Sequence, residues 1–210
     1  MAAADIAFAR AVRDEGAPTA FRRFAAPEAV VHLGRGPVPA AEWLAASPDP
    51  GAPVDWEPRA IWSSCDGSLA VSMGRTRNAA GLVGSYVTAW QRERDGGYQW
   101  TYHTSALDDP QPLPRQRVEV PAGEDVIVVP GLDAIEGKAA DCLRGTAPPQ
   151  PPELVLPAST LHQEELSSDG TLRWRWEHPA QGGGRVVVDY LREGRWQEAL
   201  AFAGPPPATR

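Results

Sequence analysis

Between Val54 and Leu107 the chain reads as a continuous series of long antiparallel strands with only tight turns between them, and no other stretch limits the fold so strongly. VDWEPRAIWSSCDG, SLAVSMGRTRNAAG, GLVGSYVTAWQRERDGG and YQWTYHTSAL follow one another directly. Asp66-Gly67 and Asp95-Gly96-Gly97 are hairpin signals, because Asp and Gly tolerate the positive φ that short hairpin loops need. Asn78 to Gly81 supplies a looser turn of the same kind. Inside the runs the side chains alternate with period two: Tyr86, Thr88 and Trp90 share one face, and Val87, Ala89 and Gln91 the other.

The segment ahead of these strands is largely helical. Ile6, Phe8, Ala9 and Val12 form an apolar stripe that predicts a helix over Ala4 to Glu15, with Asp5 placed to serve the free N–H groups of its first turn and Gly16 to end it. Pro18 to Phe24 fits a second helix with Pro near its start. AVVHLG is a short strand, and Pro37 to Ser47 holds a third helix with Trp43 and Leu44 turned inward; SPDPGAP follows as a loop. Helices followed by a long meander predict an α+β fold, the helices segregated to one side of a curled antiparallel sheet.

Size and charge narrow the roles. The 210 residues suit one large domain or a medium one with an appendage. A net charge of −7 and the lack of a basic patch speak against a nucleic-acid partner. No apolar run approaches the roughly 20 residues of a membrane span. No cofactor is implied.

Taken together, AFARAVRDEGAPTAFRRFAAPEAVVHLG, PVPAAEWLAAS, the CDGSLAVSMG hairpin and YVTAWQRERDGGYQW resemble the nuclear transport factor 2-like superfamily, nearest to its SnoaL-like and ketosteroid-isomerase-like branch. The resemblance covers about residues 4 to 107. It implies a cone, a strongly bent sheet wrapped around the first helices with a pocket at the wide end. Such proteins include isomerases, cyclases, dehydratases and binding modules, and they often dimerise through the outer face of the sheet.

Beyond Leu107 the composition shifts. Proline, 22 residues in all and about twice the usual share, concentrates here. Residues 108–157 read as a proline-rich linker with short elements: a strand at Asp125 to Val129, a brief helix over Leu132 to Leu143, and an extended polyproline stretch from Thr146 to Pro157. Residues 158–203 read as a three-stranded β appendage, TLRWRWEH, RVVVDYL and RWQEALAFA. So small a sheet is marginal alone, so it is expected to pack on the cone of its own or a partner chain, with Leu172, Trp174 and Trp176 as the cover and a homodimer anticipated. Residues 204–210 read as a disordered tail.

Candidate chemistry is sparse. Many SnoaL-like relatives carry an acid near the end of the last strand; here Trp100-Thr101-Tyr102-His103-Thr104 puts an imidazole there, suited to acid–base work or simply to a pocket wall. His32 has an equivalent opportunity, and two titratable groups converging on one cavity would mark a functional cleft. An open pocket walled by Trp43, Trp62, Tyr86 and His103, with His32, is the expected ligand site. Arg75 and Arg77 share a strand face that reads as solvated, partnered by Arg92, Glu93 and Arg94. No HxH or CxxC spacing points to a metal, and GxSxG is missing. Ketosteroid-isomerase-type chemistry would need a carboxylate in the cone, and none is evident from position alone.

Cys65 and Cys142, one in each half, read either as a covalent staple or as two unrelated thiols. A staple favours a periplasmic or secreted protein whose signal peptide is missing; free thiols favour the cytoplasm. Three function classes stay open: a protein binding a small apolar or amphipathic molecule, a SnoaL-like isomerase, cyclase or dehydratase acting through His103, and a structural or interaction protein.

Overall fold

A computed structural model describes residues 1–47, 54–112, 134–143 and 145–206. Two helices open the chain, α1 (Ala2–Glu15) and α2 (Ala17–Phe24), followed by β1 (Ala25–Leu33), β2 (Gly36–Pro39) and the short α3 (Ala40–Ala45). The expected meander is present as β3 (Val54–Ser63), β4 (Leu69–Asn78), β5 (Val83–Arg92) and β6 (Tyr98–Leu107). After it come β7 (Glu136–Ala139), β8 (Leu161–Leu166), β9 (Leu172–His178), β10 (Arg185–Arg192) and β11 (Arg195–Ala203).

The fold is α+β, built on two sheets. The first has the order β2-β1-β6-β5-β4-β3-β7, and the second β11-β10-β9-β8. The first is mixed rather than purely antiparallel, because β1 runs parallel to β6 and β7 parallel to β3. Its two faces are both covered. Phe8, Phe21, Ala29, Trp90 and Trp100 form a core between the helices and one face. Leu69, Val71, Val87, Ala89 and Tyr102 on the other face meet Leu172, Trp174, Trp176, Val186 and Val188 of the second sheet in a second core. The molecule is thus a helix layer, a mixed sheet and an antiparallel sheet, one on the next.

Four readings need correcting. The third helix begins only at Ala40, because Gly36–Pro39 pairs with β1; as an edge strand it tolerates Pro37 and Pro39. The described part of the segment read as a helix over 132–143 contains instead strand β7, at the sheet edge beside β3. The second sheet has four strands, not three. Its first, β8, is mostly exposed and carries LHQEEL, which has no apolar alternation to read. Asp5 caps nothing: α1 starts at Ala2 with Met1 at the cap, and Asp5 lies fully buried one turn in. The expected strand at 125–129 lies outside the described residues.

Residues 146–157 are extended without ladder bonds, as expected, and run against the outer side of the second sheet. Arg173 Nη1 donates to the Pro152 carbonyl at 2.8 Å and Trp196 Nε1 to the Pro149 carbonyl at 2.8 Å. Cys65 and Cys142 form a disulfide, with Cα atoms 5.1 Å apart. Among the described residues no helix is long and apolar enough to cross a membrane.

Candidate functional site

The helix-facing side of the first sheet is where the expected pocket would lie, and rings fill it. Phe8 packs edge-on against Phe21, Phe24, Trp56 and Trp90 at centroid distances of 5.0 to 5.7 Å. His103 is buried against Phe21, 4.8 Å between ring centroids, and its Nδ1 lies 3.0 Å from Thr88 Oγ1. Burial lowers its pKa to about 3, so the imidazole is neutral. Tyr86 stacks on Trp56 at 4.0 Å, and Trp43 is half-buried beside Phe21.

Within this core sits a polar group that position alone did not reveal. Among the described residues neither oxygen of Asp5 has a hydrogen-bond partner in bonding geometry, nor do Tyr86 Oη and Trp56 Nε1, although the indole lies close enough to the phenol to lower its pKa slightly. Burial pushes the Asp5 carboxyl up to about 7, with the Ser72 hydroxyl offsetting a little of that from beyond bonding geometry. Ser72 Oγ already accepts Trp90 Nε1–H at 2.9 Å. Burial, and then the Asp5 charge, raise the Tyr86 phenol.

His32 and Trp62 face the opposite way, so the five expected pocket residues do not share a cavity. Trp62 is buried in the core between the sheets. His32 Nδ1 lies 2.9 Å from Tyr102 Oη and its Nε2 2.9 Å from His178 Nδ1, a chain of three groups joining the two sheets. Burial first, and then His178, lower the His32 pKa to about 4. His32 faces away by ordinary alternation on β1, where its neighbour Val31 packs beneath the helices, and Trp62 does so because of a bulge. In β3 the register slips between Pro58 and Ala60, and in β6 Thr101 is extra between the pairs Ala89↔Tyr102 and Trp90↔Trp100. Each inverts the side-chain phase, which sends Trp56 and Trp62 to opposite faces in β3 and Trp100 and Tyr102 to opposite faces in β6.

An open cleft lies instead between the sheets. Its volume is about 240 Å³, and Glu28, Thr101, Tyr102, Glu165, Trp174 and Trp176 are among its walls. Three aromatic rings and two carboxylates line it, with Gln91 and Gln163, and among the described residues no Lys or Arg does. Glu165 Oε2 accepts Trp174 Nε1–H at 3.1 Å. Burial raises the Glu165 pKa, and the Glu28 charge adds to it against that bond. Two of the lining residues carry buried polar atoms with no partner among the described residues, Thr101 Oγ1 and Trp176 Nε1. Such atoms are rare in native interiors and costly to leave unpaired.

Arg75 belongs to neither region. It forms a two-point ion pair with Asp108 and donates to Ser85, rather than pairing with Glu93. Among the described residues no group of three or more His, Cys, Asp or Glu side chains is placed to hold a metal ion. Reading by position found Trp174 and Trp176 as a cover for the sheet and overlooked Glu165, Gln163 and Thr101 as walls of a cleft. Their signal is weak: β8 lacks alternation, and a bulge residue carries no local mark. No family model matches the chain, and no curated protein sequence matches it.

Proposed function

We propose that the chain is a nuclear transport factor 2-like protein whose first sheet and helices make the family's cone, and that it binds a compact amphipathic molecule. The binding site is the cleft between the two sheets, not the ring-filled interior beneath the helices. The observation that carries this is the lining: Tyr102, Trp174 and Trp176 around a space of about 240 Å³, with Glu28 and Glu165 as the only charged groups among the described residues. Aromatic faces and carboxylates together attract a cation, worth about 0.5 to 2 kcal/mol per ring contact. The ligand class is a small organic molecule with an apolar body and one positive group. A periplasmic or secreted location, supported by the Cys65–Cys142 bond, completes the reading.

The test is a fluorescence titration with matched cationic, neutral and anionic amphiphiles of about ten heavy atoms. Saturable binding of the cationic set is expected, at least tenfold weaker in Glu165→Gln and absent in Thr101→Trp, which fills the cleft. Binding that ignores charge, or survives Thr101→Trp, contradicts the reading.

Acid–base catalysis beneath the helices is a second reading, and one observation favours it: Asp5 and Tyr86 are both buried without partners, and the Asp5 pKa of about 7 suits a general base. In that reading Asp5, not His103, takes the proton, since a histidine with a pKa of about 3 is a weak base.

A further inference from the structure

The turn between β3 and β4 and the turn between β8 and β9 carry nearly the same six residues. Ser64-Cys65-Asp66-Gly67-Ser68-Leu69 is matched by Ser167-Ser168-Asp169-Gly170-Thr171-Leu172. Their internal bonds match as well. Ser64 Oγ donates to Asp66 Oδ1 at 2.7 Å, and Ser167 Oγ to Asp169 Oδ1 at 2.7 Å. Ser68 Oγ donates to Asp66 Oδ1 at 2.8 Å, and Thr171 Oγ1 to Asp169 Oδ1 at 2.9 Å. Gly67 and Gly170 hold φ of 70° and 68°, a conformation that favours glycine.

The likeness extends along the meander, apart from the β3 bulge at Arg59, which β8 lacks. The pairs Trp62↔Val71, Leu69↔Gln91 and Val71↔Ala89 of the first sheet recur as Glu165↔Trp174, Leu172↔Tyr190 and Trp174↔Val188 of the second. The β6 bulge recurs too. Thr101 is extra between Ala89↔Tyr102 and Trp90↔Trp100, and Ala199 is extra between Val188↔Leu200 and Asp189↔Glu198. A shared turn is common; a shared turn, register and bulge over four strands is not a property of antiparallel sheets in general.

The two turns also touch, and they do so reciprocally. Cys65 N–H donates to Thr171 Oγ1 at 3.0 Å, and Ser168 N–H donates to Ser68 Oγ at 3.0 Å. Position 65 matches 168 and position 68 matches 171, so each bond is the other turned about a local two-fold axis. The equivalent faces are the ones that pack: Leu69, Val71, Val87 and Ala89 against Leu172, Trp174, Val186 and Val188. This is the form of an isologous interface, the same patch used on both sides.

We infer that the second sheet is a second copy of the β3–β6 meander, and that it docks on the first as another copy of this chain would. The face through which a homodimer was anticipated is therefore filled from within. The relation also gives the cleft a twin. The positions matching Gln91, Tyr102 and Glu165 are Tyr190, Leu200 and Trp62, and Tyr190 and Trp62 are buried in the core between the sheets. One groove is closed by rings while the other keeps carboxylates and amides. The duplication stands whether or not the open groove holds a ligand.

Exchange across the axis is the test, made in the full chain and read as the midpoint of chemical denaturation. Val71→Trp with Met73→Trp overfills the core between the sheets, and Trp174→Val with Trp176→Met empties it. Each half is expected to lower the midpoint, and the fourfold exchange to recover more than half of the larger loss. A volume-matched exchange between unrelated positions, Val87→Trp with Trp174→Val, is expected to show no recovery. Equal recovery there, or none in the fourfold exchange, overturns the inference. Should the overfilled half not fold, the turns decide: Ser68→Ala and Thr171→Ala should shift the midpoint equally, and a loss at one without the other overturns it.

Discussion

Asp5 shows how much one side chain's surroundings change its meaning. Its position near the start of α1 suggests a cap, yet the residue lies fully buried, near enough to Tyr86 for its charge to raise that phenol and with Ser72 beyond bonding geometry. A carboxyl whose folded pKa rises from 3.8 to about 7 carries its cost above the unfolded value: stability falls as pH climbs from about 4 to about 7 and stays low beyond. The full shift corresponds to something on the order of 4 kcal/mol. His32 and His103 act in the opposite sense. Their folded pKa values of about 4 and 3 lie below the unfolded 6.5, so stability is lost as pH falls below about 6.5. Two histidines outweigh one carboxyl in the acid range, and only Asp5 acts above 6.5. Denaturation midpoints measured from pH 4 to 9 should peak near pH 6.5. In Asp5→Asn the decline above that pH should vanish, leaving a plateau; an unchanged decline would show that Asp5 is not the group responsible. The sequence displays each of these residues, but not their neutral state, which depends on which elements close over them.

Among the elements, the strands were legible and their phase was not. The hairpin chemistry of Asp66-Gly67 and Asp95-Gly96-Gly97 places β3 to β6 within a residue or two. The bulges in β3 and β6 leave no mark in local composition, and they divide Trp56 from Trp62 and Trp100 from Tyr102. β8 was missed for a different reason: an edge strand exposed along most of its length needs no apolar face. The ion pairs on the second sheet's outer side belong mainly to β9 and β10, where Arg173 and Arg175 share Asp189 at 2.8 and 2.7 Å and Glu177 takes Arg175 and Arg185; β8 adds Glu164, 3.5 Å from Arg173. The disulfide ties the β3–β4 turn to the segment after β7 across a sequence separation of 77, which removes unfolded-chain entropy worth about 4 to 5 kcal/mol. The tightest joint between the sheets is at Gly184, where an added Cβ would stand 2.5 Å from His32 Nε2. Gly184→Ala should therefore break the His32–His178 contact and lose about 1 to 3 kcal/mol. Gly137→Ala, with open space around it, should be neutral or slightly stabilising. Equal effects of the two in thermal melts would mean that the histidine chain contributes nothing to docking.

At the scale of the whole molecule, function and architecture meet between the sheets. An appendage covering the sheet was expected from Leu172, Trp174 and Trp176; that it repeats the sheet it covers was not read, although SCDGSL and SSDGTL stand in the sequence. The repeat escapes notice because its two outer faces serve different layers. One packs on helices with Trp90 and Trp100, and the matching positions Asp189 and Glu198 of the other are polar. The central claim is that a ligand enters the open groove and not the interior beneath the helices. Indole N–H signals in a nitrogen–proton NMR spectrum report on both places at once, since Trp174 and Trp176 line the groove while Trp56, Trp90 and Trp100 lie under the helices. On titration with a compact organic cation, the Trp174 and Trp176 signals should move saturably and the other three should stay fixed. Movement of Trp56, Trp90 or Trp100 with Trp174 and Trp176 unchanged would contradict the account.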